Sequence, residues 1–107
     1  MNNDVLLQLA ATIRARRTAP ADASYTRQLL DAGPARCAKK LGEEAVETII
    51  AATAESDEAL KGEAADLLYH LLVLLECRNV AIEDVLAVLE GRVGVSGLKE
   101  KAERTRR

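Results

Sequence analysis

Two stretches of helical periodicity, each about twenty residues long, flank the four-residue segment ESDE at 55–58. The first covers residues 34–53 (PARCAKKLGEEAVETIIAAT), and the second runs from about Asp57 to Cys77 or Arg78. So short a connection makes two long helices fold back as an antiparallel hairpin. Pro34 suits a first helical turn after the stop at Gly33. Ser56 or Asp57 suits the N-cap of the second helix, whose first turn carries acids that favour the positive end of the helix dipole.

The rest of the chain punctuates into shorter helices. Residues 4–17 form the first, with Asp4 as N-cap and Val5, Leu6, Leu9 and Ile13 on its apolar face. Pro20 breaks it, TAPADAS at 18–24 reads as a loop, and YTRQLLDA at 25–32 is a short helix. A last helix begins near Ile82 with Val85, Leu86 and Leu89 apolar, before Gly91, Gly94 and Gly97 interrupt it. No strand pattern of useful length and no repeat intervene. The fold class is all-α: an antiparallel bundle of four to five helices in one domain over residues 1–107, with the core at about 4–92 and a charged tail at about 98–107.

Composition narrows the function. Tyr25 and Tyr69 are the only aromatic side chains besides the single histidine, so the core must be Leu, Ile, Val and Ala. Single-stranded nucleic acid would find almost no stacking platform, and a net charge of −2 offers no basic coat. The apolar run at 67–75 is too short to cross a bilayer, and the opening MNNDVLLQLAATI lacks a basic leader. Cys37 and Cys77, forty positions apart and without zinc-ligand spacing, read as reduced buried hydrophobes. The expectation is a cytoplasmic globular protein that engages neither nucleic acid nor membrane.

Against this background four acids stand out: Glu44/Glu47 and Glu63/Asp66, each pair spaced i, i+3 on one helix face. On α-helical wheels Lys40, Glu44, Glu47 and Ala51 share a stripe beside the apolar stripe Leu41, Ala45, Ile49 and Ala52. On the second helix Glu63, Asp66 and His70 line up beside Leu60, Ala64, Leu67, Leu71 and Leu75. Glu47 lies seven residues before Ala54 and Glu63 seven after Ser56, while Glu44 and Asp66 lie ten from the same points. In a hairpin the pairs therefore come level, at roughly 10–15 Å from the turn. Acids on a core-facing stripe cost several kcal/mol to desolvate without a cation. An all-oxygen donor set suits Mg²⁺, or Mn²⁺, better than zinc. Such a site keeps positions open for water and phosphate oxygens, which is the chemistry of phosphoanhydride hydrolysis. The alternative is a solvated groove in which Lys40 and Lys61 neutralise the acids.

The surrounding words carry a resemblance. The pattern Glu44-x-x-Glu47, fifteen residues, Glu63-x-x-Asp66 resembles that of the all-α nucleoside triphosphate pyrophosphatases, the MazG-like superfamily. SYTRQLL at 24–30, KKLGEEAVETIIAA at 39–52 and EAADLLYHLLVLL at 63–75 are similar to the phosphoribosyl-ATP pyrophosphatase family, over about residues 4–105. The resemblance implies Mg²⁺-dependent hydrolysis of 1-(5-phosphoribosyl)-ATP to the AMP compound and pyrophosphate, in histidine biosynthesis. It carries Glu44, Glu47, Glu63 and Asp66 over as metal ligands, and it implies a homodimer. The apolar run LLYHLLVLL points the same way, since a chain of this size struggles to cover it.

Further candidates surround these acids. Glu43, with Glu44 and Glu47, is a candidate for activating water. Lys39 and Lys40, one turn before the acids, suit phosphate oxygens, and Lys40 also stands four residues before Glu44 for a salt bridge. Tyr25, Arg16 and His70 complete the candidate substrate contacts, with Arg14, Arg17, Arg92 and the SGLKEK segment at 96–101 as further polar regions. Two other functions compete: a related pyrophosphatase acting on free or damaged nucleotides, and a non-enzymatic helical interaction module.

Overall fold

Helices α1 (Val5–Ala15), α2 (Tyr25–Ala32), α3 (Pro34–Ala54), α4 (Asp57–Cys77) and α5 (Ile82–Arg92) follow one another in a computed structural model that describes residues 5–93 and Arg104. A 3₁₀ turn, Arg16–Thr18, extends α1. No strand occurs among the described residues. The all-α expectation is met, and the long pair α3–α4 is the antiparallel hairpin the short connector requires.

The caps explain the boundaries. Ser24 accepts from the Arg27 amide at 3.1 Å to start α2, and Ser56 accepts from the Ala59 amide at 3.1 Å to start α4. Between α2 and α3 the backbone of Gly33 adopts φ 96° and ψ 175°, a region that essentially only glycine occupies. Helix α4 ends in a Schellman motif with Asn79 (φ 59°) in the left-handed position. The Val80 amide reaches Leu75 O at 2.9 Å, and the Asn79 amide reaches Glu76 O at 3.0 Å.

Some boundaries differ from the sequence reading. The first helix tightens to 3₁₀ at Arg16, a common way to end a last turn. Gly91 lies within α5, because one glycine in a helix costs only about 1 kcal/mol against alanine. Asp4, Gly94, Gly97 and the 96–101 segment lie outside the described residues.

The core joins Ile13 of α1, Leu29 of α2, Cys37 of α3, Leu72 and Val73 of α4 and Ile82 of α5. It therefore gathers at the end of the hairpin away from the α3–α4 turn. Both thiols lie here and are free. Cys37 Sγ donates to Leu29 O at 3.2 Å, and burial together with the neighbouring Cys77 pushes its thiol up to about 11. A clamp secures the same end: Arg14 and Arg17 both donate to the Glu76 carboxylate, and Arg17 also reaches Glu76 O and Asn79 Oδ1.

The stripe Leu41, Ala45, Ile49 and Ala52 does not supply this core. Ile49 is 62% exposed and Ala52 is exposed, while Leu41 and Ala45 are half-buried. Helix α3 instead turns the side bearing Glu44, Thr48 and Ala51 toward α4, with Ala51 buried. Two helices joined by a turn bury one face of each, and here small and polar residues allow the close approach.

Candidate active site

The hairpin brings the two acid pairs together. One carboxylate oxygen each from Glu44, Glu63 and Asp66 lies within 4.8 Å of the others. Thr48 bridges the two helices here: its Oγ1 donates to Glu44 O at 2.8 Å within α3 and lies 3.2 Å from Glu63 O on α4. Glu47, exposed, borders both Glu44 and Glu63.

The electrostatics are those of anions lacking a counterion. Burial, then the hydrogen-bonding and charged Glu47 carboxyl, then the charges of Asp66 and Glu63 push Glu44 up to about 7. Burial raises Glu63 as well, followed by Glu47 and Asp66. Oε2 of Glu44 and Oε2 of Glu63 are both buried without a hydrogen-bond partner. Unpaired buried carboxylate oxygens on facing helices are costly unless a cation binds between them.

The lysines do not fill that role. Lys40 Nζ bonds Glu43 Oε1 at 3.0 Å, not Glu44, and Lys61 bonds Glu58 at 3.0 Å. The Lys40 hydrogen bond holds the Glu43 carboxyl below its ordinary value, and Glu43 in turn raises Lys40. The donor set of Glu44, Glu63 and Asp66, with two orphaned buried oxygens, fits a hard divalent ion such as Mg²⁺.

Beside the acids sits an aromatic corner. His70 is 6% exposed, with Nε2 3.8 Å from Glu44 Oε1. The Tyr69 ring meets it edge-on at 5.0 Å and the Tyr25 ring at 6.2 Å. Tyr69 is held by a hydroxyl–hydroxyl bond to Thr26 on α2. Burial, reinforced by Lys40 and opposed by Asp66 and Glu43, lowers His70 below its ordinary value. Tyr25 is half exposed beside this corner, and its charge interaction with Lys40 places the two near each other.

The remaining candidates are more distant. Lys39 is exposed on α3 and acts on Glu43 through charge alone. Arg16 is exposed on the 3₁₀ turn, between two arginines committed to Glu76. Glu76 stands ten residues beyond Asp66, about 15 Å along α4. Sequence reasoning overlooked Thr48, the Thr26–Tyr69 bond and the Glu76 clamp. The first was within reach, since the hairpin arithmetic that levels Glu47 with Glu63 also brings Thr48 beside α4 there.

Comparison with known proteins agrees with this geometry. The family profile described as phosphoribosyl-ATP pyrophosphohydrolase matches residues 6–92. The chain belongs to the phosphoribosyl-ATP pyrophosphohydrolase family. It is 56% identical over 106 residues to a phosphoribosyl-ATP pyrophosphatase of Nitrobacter winogradskyi, covering 99% of this chain and 91% of that protein. It is 56% identical to the protein of the same name from Dinoroseobacter shibae, with 94% and 98% covered, and 54% identical to that of Erythrobacter litoralis, with 94% and 97% covered. As a member of this family the chain is a hydrolase. The family match takes in the whole hairpin and all four acids. No helix among the described residues is long and apolar enough to cross a membrane.

Proposed function

We propose that this chain hydrolyses 1-(5-phosphoribosyl)-ATP to 1-(5-phosphoribosyl)-AMP and pyrophosphate in histidine biosynthesis, in the cytoplasm and with Mg²⁺. The carrying observation is the pair of buried, unpartnered oxygens on Glu44 and Glu63, with Asp66 within 4.8 Å. The printed names of the relatives support the choice of substrate.

Glu44, Glu63 and Asp66 would hold the ion, with Glu47 at the border. When bound, the ion supplies neutralisation of the charge that develops on the phosphate oxygens. The side chains divide the remaining work. A water attacks phosphorus, the bond to the departing pyrophosphate breaks, and the water's proton passes to a carboxylate. Glu43 is the poorer base for that proton, because Lys40 lowers its proton affinity. Glu47, exposed beside Glu44 and Glu63, stands where it can take that proton. Lys40 and Lys39 lie one turn from the acids, where they suit phosphate oxygens, and half-exposed Tyr25 suits the nucleoside.

The active form is a homodimer in this proposal. Val46, Ile49 and Ile50, at i, i+3 and i+4 on one stripe of α3, are 55%, 62% and 47% exposed, and Leu68 of α4 is 45% exposed. So much open apolar surface along the hairpin supports burial against a second copy.

Pyrophosphate release from phosphoribosyl-ATP, ATP, dCTP and dUTP, with Mg²⁺ and with a chelator, tests this reading. Release from phosphoribosyl-ATP alone, abolished by chelation, is expected. Comparable turnover of the free nucleotides would overturn the substrate, and full activity under chelation would overturn the metal.

A further inference from the structure

His70 is packed into the corner beside the acids. It is 6% exposed, wedged edge-on between Tyr69 at 5.0 Å and Tyr25 at 6.2 Å, with Tyr69 itself tied to Thr26. Its Nδ1 is buried with no hydrogen-bond partner, and its Nε2 faces Glu44 Oε1 at 3.8 Å. A neutral imidazole owns one N–H donor and one lone pair. Stranding the donor in this enclosure leaves an N–H unpaired, whereas on Nε2 it faces a carboxyl oxygen able to accept it. The proton therefore belongs on Nε2, and the lone pair on enclosed Nδ1.

We infer that His70 is a positioning residue that holds Glu44 by its Oε1 atom, so that the other oxygen, Oε2, is presented toward Glu63 and Asp66. Two observations on opposite ends of one carboxylate meet here. Oε1 is the atom facing the imidazole, and Oε2 is the buried atom without a partner. A glutamate has three side-chain torsions, and anchoring one oxygen removes most of the freedom that would scatter the other. At 3.8 Å the imidazole stands beside Oε1 rather than bonded to it, and the inference requires the pair to draw together when the site is loaded. The aromatic corner then has a function: Thr26 fixes Tyr69, Tyr69 and Tyr25 fix the imidazole, and the imidazole fixes the carboxylate. This inference rests on the proposal that these acids hold a divalent ion, and hydrogen-bonded partners of ligating groups commonly set metal affinity.

The chain has a single histidine, so its ring nitrogens can be read without ambiguity. In long-range ¹H–¹⁵N spectra of the ¹⁵N-labelled, metal-free protein, Nε2 is expected to be protonated and Nδ1 bare. A protonated Nδ1 with bare Nε2, or an averaged pair of tautomers, would overturn the inference, and this measurement needs no variant. Mn²⁺ titration followed by electron paramagnetic resonance supplies the second arm. H70L is expected to weaken Mn²⁺ binding by about 10–100-fold, while H70Q, which carries an N–H near the Nε2 position, stays within about threefold of wild type. Wild-type binding with H70L unchanged would sink the positioning role alone. A wild type that binds no Mn²⁺ would remove the metal reading on which the role depends.

Discussion

The Thr48 hydroxyl of α3 lies 3.2 Å from the carbonyl oxygen of Glu63 on α4, one residue past Glu47 and at the first residue of the second acid pair. This contact ties hairpin register to carboxylate geometry. Because the single hydroxyl proton is shared with Glu44 O at 2.8 Å, the near-isosteric Thr48→Val is expected to cost only about 1 kcal/mol in urea unfolding. Mn²⁺ affinity should fall along with stability, since register also spaces the acids. Unchanged affinity in a destabilised variant would mean that packing alone sets the register.

Removing a charge from the acid cluster should stabilise the metal-free protein and disable the enzyme. Glu63→Gln is expected to raise Tm in chelator, because Glu47 and Asp66 both oppose ionisation at Glu63. The same change, and Glu47→Gln, should lower pyrophosphate release by at least ~10²-fold. Mg²⁺ should raise the Tm of wild type and have little effect on Glu63→Gln. A wild-type Tm indifferent to Mg²⁺ would argue for a solvated groove.

Glu44 gives the metal-free protein a pH dependence of unusual sign. Its folded-state carboxyl is raised from 4.5 to about 7, so between those values the native state binds more protons than the unfolded chain. Stability contributed by this group is present at low pH and is lost as pH rises through that window. His70, lowered by burial, contributes in the opposite sense, because the unfolded chain takes up its proton first as pH falls. Comparison with Glu44→Gln separates the two: the stability gained on substitution should grow from pH 4.5 to about 7. Parallel curves for the two proteins would exclude this account of Glu44.

The far end of α4 depends on Asn79 and Glu76. Asn79 holds a left-handed backbone and accepts from Arg17 through Oδ1 at 3.1 Å. Asn79→Ala should cost about 1–2 kcal/mol, and Asn79→Gly less, because glycine recovers the backbone and loses only the side-chain bond. Burial pushes the Glu76 carboxyl up, but hydrogen bonds from Arg17 and Arg14 outweigh it and hold it below its ordinary value. Its contribution is therefore present above the ordinary carboxylate range and lost on acidification. Chemical denaturation of Glu76→Gln at neutral and acidic pH should show a difference from wild type that shrinks as pH falls.

A charge on the open face of α3 should disrupt the proposed homodimer. Ile49→Asp is expected to shift sedimentation from dimer toward monomer, because Ile49 is 62% exposed within one chain and lies between Val46 and Ile50. An unchanged dimer would place the interface on another face.

Much of this protein is written in local sequence. Proline at the start of α3, serines before α2 and α4, and helical periodicity on both sides of ESDE determine the helices, because caps and periodicity act over a few residues. The acid cluster was legible for the same reason: two i, i+3 pairs at matched distances from one turn come level, and Glu44, Glu63 and Asp66 meet there with Glu47 at the border. Only tertiary structure decided which side of α3 is buried, since a wheel ranks faces by polarity and the hairpin chose the one with Thr48 and Ala51. It also decided that Lys40 bonds Glu43 and not Glu44, and that His70 lies between two tyrosines that are forty-four positions apart. Those contacts depend on how the helices cross, which no local pattern encodes.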